Sequence, residues 1–178
     1  MKITENVVKG SNGKNDECYT HRYAVEPILK FIKPNSTIWC PFDKDDSEFV
    51  KVFKENGFNV INTHIDYGQD FYQTEIKECD YIISNPPFTN KKEIFKRLIS
   101  FNKPFAMIMS ILWLNDNTPF YLFKNINFQL LMFNDRMTFK NQRQDKQISF
   151  KSAYFCRDFL PEKIMWEHFN DYGQTKLF

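Results

Sequence analysis

The chain has 178 residues, of which 42% are hydrophobic, and its 24 basic and 22 acidic side chains give a formal net charge of +2. The length indicates one globular domain, and the composition excludes collagen-like, coiled-coil and wholly disordered chains. Because the charges nearly balance, any surface that attracts nucleic acid must be local.

The four cysteines and three histidines are scattered along the sequence, and the cysteines form no CxxC pair. Zinc sites need closely spaced ligands, so we predict no metal site, and reduced thiols in a cytoplasmic protein. The first ten residues hold no apolar stretch, and no apolar run reaches the length of a membrane span. We therefore expect neither a signal peptide nor a contact with a membrane.

The first half of the chain alternates predicted helices and strands. Residues 1–15 are polar and are expected to form a flexible arm, and a single domain is expected over residues 16–178. Apolar spacing after Thr20 predicts a helix that Pro34 ends. The elements predicted next are a buried strand at Thr37–Phe42, a helix capped by Asp45 or Ser47 and ended by Gly57, and a strand at Phe58–Ile65.

The second half continues this alternation and ends with shorter elements. The predicted elements are a strand at Asp80–Ser84, a helix at Lys91–Phe101, a strand buried on both faces at Pro104–Ile111, a short helix from Asn117 or Thr118, a strand at Phe128–Phe133, strands at Met137–Phe139 and Ile148–Cys156 around a polar loop, and a helix at Pro161–Phe169.

This order of elements predicts an α/β fold with a doubly wound, mostly parallel sheet. Such sheets bind ligands beyond the carboxyl ends of their strands, so the segments after Phe42, Ile65, Ser84 and Ile111 are the candidates for a site. Only seven residues separate Asn62 from Asp70, whereas a parallel crossover needs about a dozen. One crossover helix is therefore expected to be missing or reduced to a turn.

The sharpest motif is Asn85-Pro86-Pro87-Phe88, which directly follows a predicted buried strand. Two prolines cannot donate hydrogen bonds to a neighbouring strand, so the strand ends there and the backbone is rigid. The amide oxygen of Asn85 and the carbonyl of Pro86 are acceptors suited to an exocyclic amine, and the ring of Phe88 is suited to stacking on a base. The structural alternative is a strand-ending turn with Phe88 in the core.

The segment from Asp80 to Phe88 resembles the catalytic motif of the amino-methylating methyltransferases, the N6-adenine group in particular, and is closest to the small DNA adenine methyltransferases of phages. The resemblance implies a Rossmann-like methyltransferase fold, here with an antiparallel C-terminal hairpin and a reduced set of helices. It also implies transfer of a methyl group from S-adenosylmethionine to N6 of adenine. In that family the Asn side chain and the first Pro carbonyl accept from the target amine, which assigns catalysis to Asn85, Pro86 and Phe88, with the base flipped out of the duplex.

Two further segments resemble the cofactor-binding parts of the same family. The segment Asp16–Thr20 looks like the N-terminal segment that lies against the methionine end of the cofactor, which implies contacts from Tyr19 and Thr20. The segment Ile38–Asp43 looks like the first strand and the loop beneath the cofactor, which implies contacts from Phe42 and Asp43.

A third segment, Gly68–Phe71, resembles the one whose Asp accepts from the adenine amine of the cofactor, which implies contacts from Asp70 and Phe71. The acidic ribose clamp falls on His64 or Asp66, of which Asp66 is the better acceptor, although Asp66 also fits a turn residue. The family's first loop is rich in glycine, but no glycine lies between Gly13 and Gly57 here. The acidic residues of that loop also fit a solvated helix N-terminus.

One local basic cluster, Arg136–Lys151, contains five basic residues and one acidic residue, for a charge of +4. From it, Lys140, Arg143 and Lys146 are candidates to contact a phosphate backbone, although the same pattern fits a solvated hairpin tip. The chain has no room for a separate target-recognition domain, so we expect sequence specificity to come from a short hairpin or a partner subunit, or to be weak.

Two other functions remain open from the sequence. The chain is also compatible with a degenerate descendant of the fold that binds a nucleotide or a protein without methylating it, which the loss of loop glycines favours. The same chemistry on RNA or on a protein glutamine is compatible with the Asn-Pro-Pro-Phe motif as well.

Overall fold

The computed structural model describes residues 19–140, 145–147 and 150–173. The expected flexible arm and the segment Asp16–Cys18 lie outside these residues. The strands are β1 (Tyr19–Thr20), β2 (Thr37–Cys40), β3 (Asn59–Asn62), β4 (Tyr81–Ser84), β5 (Phe105–Ser110), β6 (Phe128–Phe133), β7 (Thr138–Lys140), β8 (Asp145–Gln147), β9 (Ser152–Arg157) and β10 (Ile164–Glu167). The α-helices are α1 (Arg22–Val25), α2 (Glu48–Glu55), α3 (Lys91–Ser100) and α4 (Asn117–Phe123).

Seven strands form one sheet in the order β10-β6-β9-β5-β4-β2-β3. Strand β9 is antiparallel to its neighbours β5 and β6, and all the other neighbouring pairs are parallel. The predicted α/β architecture with a mostly parallel sheet is therefore confirmed. Strands β1, β7 and β8 form a second, small antiparallel sheet.

The order of the strands reverses around β2, which lies between β3 and β4. The chain runs from β2 to β3 on one side and then crosses to β4 on the other side. Such a reversal is a topological switch point, and open α/β sheets bind ligands in the crevice that it leaves at the carboxyl ends of the strands. In this chain the crevice lies beyond the ends of β2 and β4.

Helices cover both faces of the large sheet. Ile38 and Ile83 belong to the core cluster beneath α1 and α2, whereas Trp39 and Ile82 belong to the cluster beneath α3 and α4. Successive side chains of one strand thus enter opposite layers, as the pleat requires. All residues from Phe105 to Met109 in β5 are buried, as expected of a strand covered on both sides.

Local signals in the sequence account for several boundaries. The hydroxyl of Ser47 accepts from the amide of Val50 and caps α2, and Gly57 follows that helix at a φ of +80°. The first predicted helix is split into α1 and a 3₁₀ turn at Glu26–Phe31, because Pro27 lacks the amide that an α-helix needs. Between β3 and β4 the chain forms a 3₁₀ turn at Ile65–Tyr67 and no α-helix, as the short spacing predicts.

The prediction of a helix at Pro161–Phe169 is wrong, because this segment contains β10. The register Met165↔Leu131 places β10 parallel to β6, and its residues alternate between exposed and half-buried. The segment after β7 was predicted to be a polar loop, but it contains the strand β8, which pairs with β7. Across residues 19–140, 145–147 and 150–173, the longest helix has ten residues, and none has the length and apolar character that a membrane crossing requires.

Candidate functional site

The ends of β2 and β4 are joined by a buried hydrogen bond. Ser84, the last residue of β4, is fully buried, and its hydroxyl donates to Oδ2 of Asp43 at 2.5 Å. Asn85 follows Ser84 directly and is half-buried, and Pro86 is buried. The structure thus brings the loop after β2 and the Asn-Pro-Pro-Phe motif together at the switch point.

The carboxyl group of Asp43 is only 7% exposed. This burial raises its pKa from 3.8 to about 6, although hydrogen bonds from Ser84 and Ser47 act in the opposite direction. At neutral pH the group is therefore mostly a buried carboxylate. Such a group is a strong acceptor for a ligand that carries an amine or a hydroxyl.

Phe88 lies between the core and the surface. Its ring is half-buried against the cluster beneath α3 and α4, and its centroid is 6.0 Å from that of Phe150 at an angle of 44°. Phe88 thus packs against the core without being fully buried, so the alternative of a strand-ending turn with Phe88 in the core stays open. The contact also brings the segment that leads into β9 beside the motif.

The two aromatic candidates for cofactor contacts touch each other, but they differ in burial. The rings of Phe42 and Phe71 are 4.7 Å apart between centroids. Phe71 is 3% exposed and packs against Trp39 as well, so its ring belongs to the core. Phe42 is half-buried and is the member of the pair with a surface that a ligand can reach.

The two acidic candidates after β3 already have partners in the structure. Asp66 forms an ion pair with Nζ of Lys44 at 2.6 Å, and this hydrogen bond lowers the pKa of Asp66. Asp70 accepts from the amide of Tyr72 at 3.0 Å and from Nε2 of Gln73 at 3.4 Å. A ligand would have to share or replace these partners.

The sequence did not single out Ser84 or Asn62, which organise the site. Nδ2 of Asn62 donates to Oδ1 of Asp45 at 3.0 Å and to the carbonyl of Asp43 at 3.3 Å, so the end of β3 holds the loop after β2. The available signal was a polar side chain at the last position of each strand, next to the predicted ligand edge.

The N-terminal candidates lie on β1, where Tyr19 pairs with Lys140 and Thr20 with Phe139. Thr20 is 6% exposed, and its Oγ1 has no hydrogen-bond partner among the described residues. Ser152 is opposite Ser110 at the carboxyl end of β5. Its buried hydroxyl likewise has no hydrogen-bond partner among the described residues. Buried hydroxyls rarely lack a partner, so both are candidates to bind a ligand.

Two of the three basic candidates lie on the paired strands β7 and β8. Lys140 pairs with Asp145 and Lys146 with Phe139, whereas Arg143 lies outside the described residues. Because Phe139 pairs with Thr20 as well, the hairpin and the N-terminal candidate strand form one small sheet.

No group of three potential metal ligands occurs in the part of the chain that the structure describes. Cys40, Cys79 and Cys156 are free and buried, and burial raises the pKa of the Cys79 thiol to about 11. These thiols are therefore protonated at neutral pH and belong to the core.

Comparisons with protein-family models and with curated proteins add no relative to this description. No protein-family model matches the sequence, and no curated protein matches it. Any functional assignment therefore depends on the motif and on the geometry around it.

Proposed function

We propose that the chain is an S-adenosylmethionine-dependent methyltransferase with a Rossmann-like fold, and that its target is N6 of adenine in DNA. The observation that carries the proposal is the position of Asn85-Pro86-Pro87-Phe88. The motif begins directly after Ser84, whose hydroxyl binds Asp43 across the switch point. A motif suited to an amine is thereby next to a buried carboxylate in the crevice where such sheets bind ligands.

Two residues at this edge and one on β1 fit the proposed cofactor. The Asp43 carboxyl is an acceptor for an amine, and the half-buried ring of Phe42 offers an apolar surface. On β1, the buried hydroxyl of Thr20, which has no partner among the described residues, is a donor for a carboxylate. When bound, S-adenosylmethionine would supply an electrophilic methyl group on a sulfonium. The ion pair between Lys44 and Asp66 would have to open for Asp66 to bind a ribose hydroxyl.

The chain's own residues would act on the target amine. The amide oxygen of Asn85 and the carbonyl of Pro86 would accept its two hydrogens, which orients the nitrogen lone pair and increases its electron density. The half-buried ring of Phe88 would stack on a base that has left the duplex, a contact worth about 1–3 kcal/mol. The β7–β8 hairpin or a protein partner would bind the flanking DNA.

Replacement of Asn85 tests the proposal. The substitution Asn85→Ala should leave the fold intact and lower methyl transfer by about 10²–10³-fold, since one positioned hydrogen-bonding group contributes roughly 3–4 kcal/mol to a transition state. The measurement is incorporation of labelled methyl groups into adenine-rich DNA, followed by mass analysis of the nucleosides.

The exposed residue Asn117 on α4 provides the matched control, because Asn117→Ala removes the same side chain outside the motif. Phe88→Ala should impair the use of DNA while cofactor affinity stays unchanged, and Phe88→Tyr should retain most of the activity. If the wild-type chain transfers no label to the adenine of DNA, the proposed target is refuted. Label in bulk RNA or in protein glutamine would instead identify one of the alternative substrates.

A second candidate function is nucleotide binding without methyl transfer. The contacts between Lys44 and Asp66 and between Asp70 and its own loop favour it, because two of the three carboxylates expected to bind the cofactor already have partners of these kinds. In that case calorimetry would detect a bound nucleotide, and no substrate would be labelled.

A further inference from the structure

Strand β10 forms one edge of the large sheet. Strand β6 is its neighbour on one side, and within residues 19–140, 145–147 and 150–173 no strand pairs with it on the other. An edge strand presents main-chain donors and acceptors that can pair with another chain, and proteins usually protect such edges with charges, prolines or bulges.

The hydrogen bonds to β6 identify the main-chain groups that point outward. The amide of Leu130 donates to the carbonyl of Lys163 at 2.8 Å, and the amide of Asn134 donates to the carbonyl of Glu167 at 3.2 Å. Because alternate residues of a strand point to opposite neighbours, Met165 also faces β6. The amides and carbonyls of Ile164 and Trp166 therefore face the open edge.

The side chains of the same two residues are unusually exposed for their size. Ile164 is 55% exposed and Trp166 is 63% exposed, and both lie on the same face of the sheet because they are two positions apart. They stand beside Leu130 and Met132 of β6 in the parallel register. The edge thus combines open main-chain groups with an apolar strip, a combination typical of an interaction surface.

The sequence of this strand is complementary to itself. When Lys163-Ile164-Met165-Trp166-Glu167 is paired antiparallel to a second copy around Met165, Ile164 faces Trp166 of the second copy and Lys163 faces Glu167 of the second copy. In both Ile164–Trp166 pairs the main-chain groups point toward each other, so each pair can exchange two hydrogen bonds. The apolar side chains then match across the axis, whereas the carboxylate of Glu167 already has an ion pair with Lys30 and a hydrogen bond from Tyr172 in its own chain.

We propose that the protein forms a two-fold symmetric dimer in which β10 pairs with β10 of a second copy. The symmetry axis is perpendicular to the sheet at Met165, so the two seven-stranded sheets join into one and their apolar strips lie on the same face. The interface is isologous, as in most dimers of identical chains. The proposal is independent of the methyltransferase assignment, because the switch point takes no part in it.

The oligomeric state of the full chain tests the proposal. By sedimentation equilibrium the wild type should have twice the 21.5 kDa mass of one chain. Trp166→Lys should raise the dissociation constant of the dimer by on the order of 30-fold, because it replaces a central aromatic contact with a charge. Ile164→Lys should also weaken the dimer, because it places a charge opposite Trp166 of the second copy.

The control is Tyr121→Lys, which makes a similar change at a 69% exposed aromatic residue on α4 and should leave the mass unchanged. Circular dichroism verifies that each variant folds. A wild type that stays at the mass of one chain at millimolar concentration overturns the proposal, as does a dimer that withstands both substitutions.

Hydrogen exchange provides a second measurement, which compares the wild-type chain at two concentrations and needs no variant. The amides of Ile164 and Trp166 should exchange slowly in the concentrated wild type and quickly after dilution, while the amide of Met165 stays protected by β6. Equal exchange of the Ile164 and Trp166 amides at both concentrations overturns the proposal.

Discussion

Asp43 is a buried carboxyl group whose charge is stabilised by hydroxyl groups, from Ser84 and Ser47. Burial of a carboxylate lowers the stability of the folded state at neutral pH, and groups of this kind are often found at functional sites. It lies between the ends of β2 and β4, where a charged acceptor suits a ligand that carries an amine. This position supports the proposal, drawn first from the family resemblance, that Asp43 binds the cofactor.

The pKa of Asp43 predicts how stability depends on pH. The folded state binds the proton more tightly than the unfolded state, because the pKa rises from 3.8 to about 6. Its contribution to the free energy of unfolding is therefore fully present below the unfolded pKa of 3.8 and is lost as pH rises through about 6. The total change is up to about 3 kcal/mol. Asp43→Asn removes the charge and keeps an oxygen that can accept from Ser84.

We expect the free energy of unfolding of Asp43→Asn to exceed that of the wild type at about pH 7.5 and to approach it near the unfolded pKa. Urea unfolding at several pH values measures the difference. The exposed Asp46 gives the control substitution Asp46→Asn, which should change little. A difference that is independent of pH would show that Asp43 does not titrate as described.

At the level of elements, local sequence signals were sufficient where one strand or helix carries its own pattern. The apolar runs of β2, β4 and β5 and the cap and end of α2 could all be predicted. Strand β10 could not, because an amphipathic segment of this length fits a helix or an edge strand equally well. The choice depends on its pairing with β6, which is more than 30 residues earlier in the chain.

Gln129 of β6 is the clearest non-local determinant of that pairing. It is 2% exposed, and its Oε1 accepts from the amides of Phe159 and Leu160 at 2.8 and 2.9 Å. Its Nε2 donates to the carbonyls of Leu160 and Glu162. One side chain thus satisfies four main-chain groups of the connection that leads to β10, which no local pattern could reveal.

Gln129→Ala should therefore lower the free energy of unfolding by about 2–4 kcal/mol, since it leaves buried main-chain groups without partners. Chemical denaturation measures the loss, and Gln73→Ala at an exposed position is the control. If both substitutions have the same small effect, the connection before β10 does not depend on this side chain.

At the level of the whole molecule, the sequence predicted the α/β class with a mostly parallel sheet, because the order of the elements determines it. It also predicted that the loop after β2 and the Asn-Pro-Pro-Phe motif lie at one edge of the sheet, because both follow buried parallel strands. It could not predict which candidates are already engaged. The partners of Asp66 and Asp70 depend on the three-dimensional course of the loop after β3, and Arg97 of α3 fixes that course by donating to the carbonyls of Phe71 and Thr74.

Cofactor binding should stabilise the whole molecule if the proposed function is correct. A ligand that binds only the folded state adds about 2.7 kcal/mol at a concentration a hundredfold above its Kd, which corresponds to a rise in Tm of about 5–10 °C for a chain of this size. Differential scanning calorimetry with S-adenosylmethionine measures the shift.

Thr20→Val keeps the shape of the Thr20 side chain and removes a buried hydroxyl that has no partner within residues 19–140, 145–147 and 150–173. The variant should be at least as stable as the wild type without ligand, because a buried hydroxyl without a partner is unfavourable. Its Tm should rise less when the cofactor is added. An equal rise in both proteins would remove Thr20 from the cofactor site.

The connection between β3 and β4 also determines which part of the molecule opens first. Among residues 63–80 only Thr63, Phe71 and Cys79 are buried, so the segment contributes little apolar area to the core. Segments of this kind unfold locally at a lower free energy than the global transition. Asp66 and Asp70 belong to this segment and become disordered with it, so the cost of ordering the segment is part of the affinity for any ligand that these carboxylates bind.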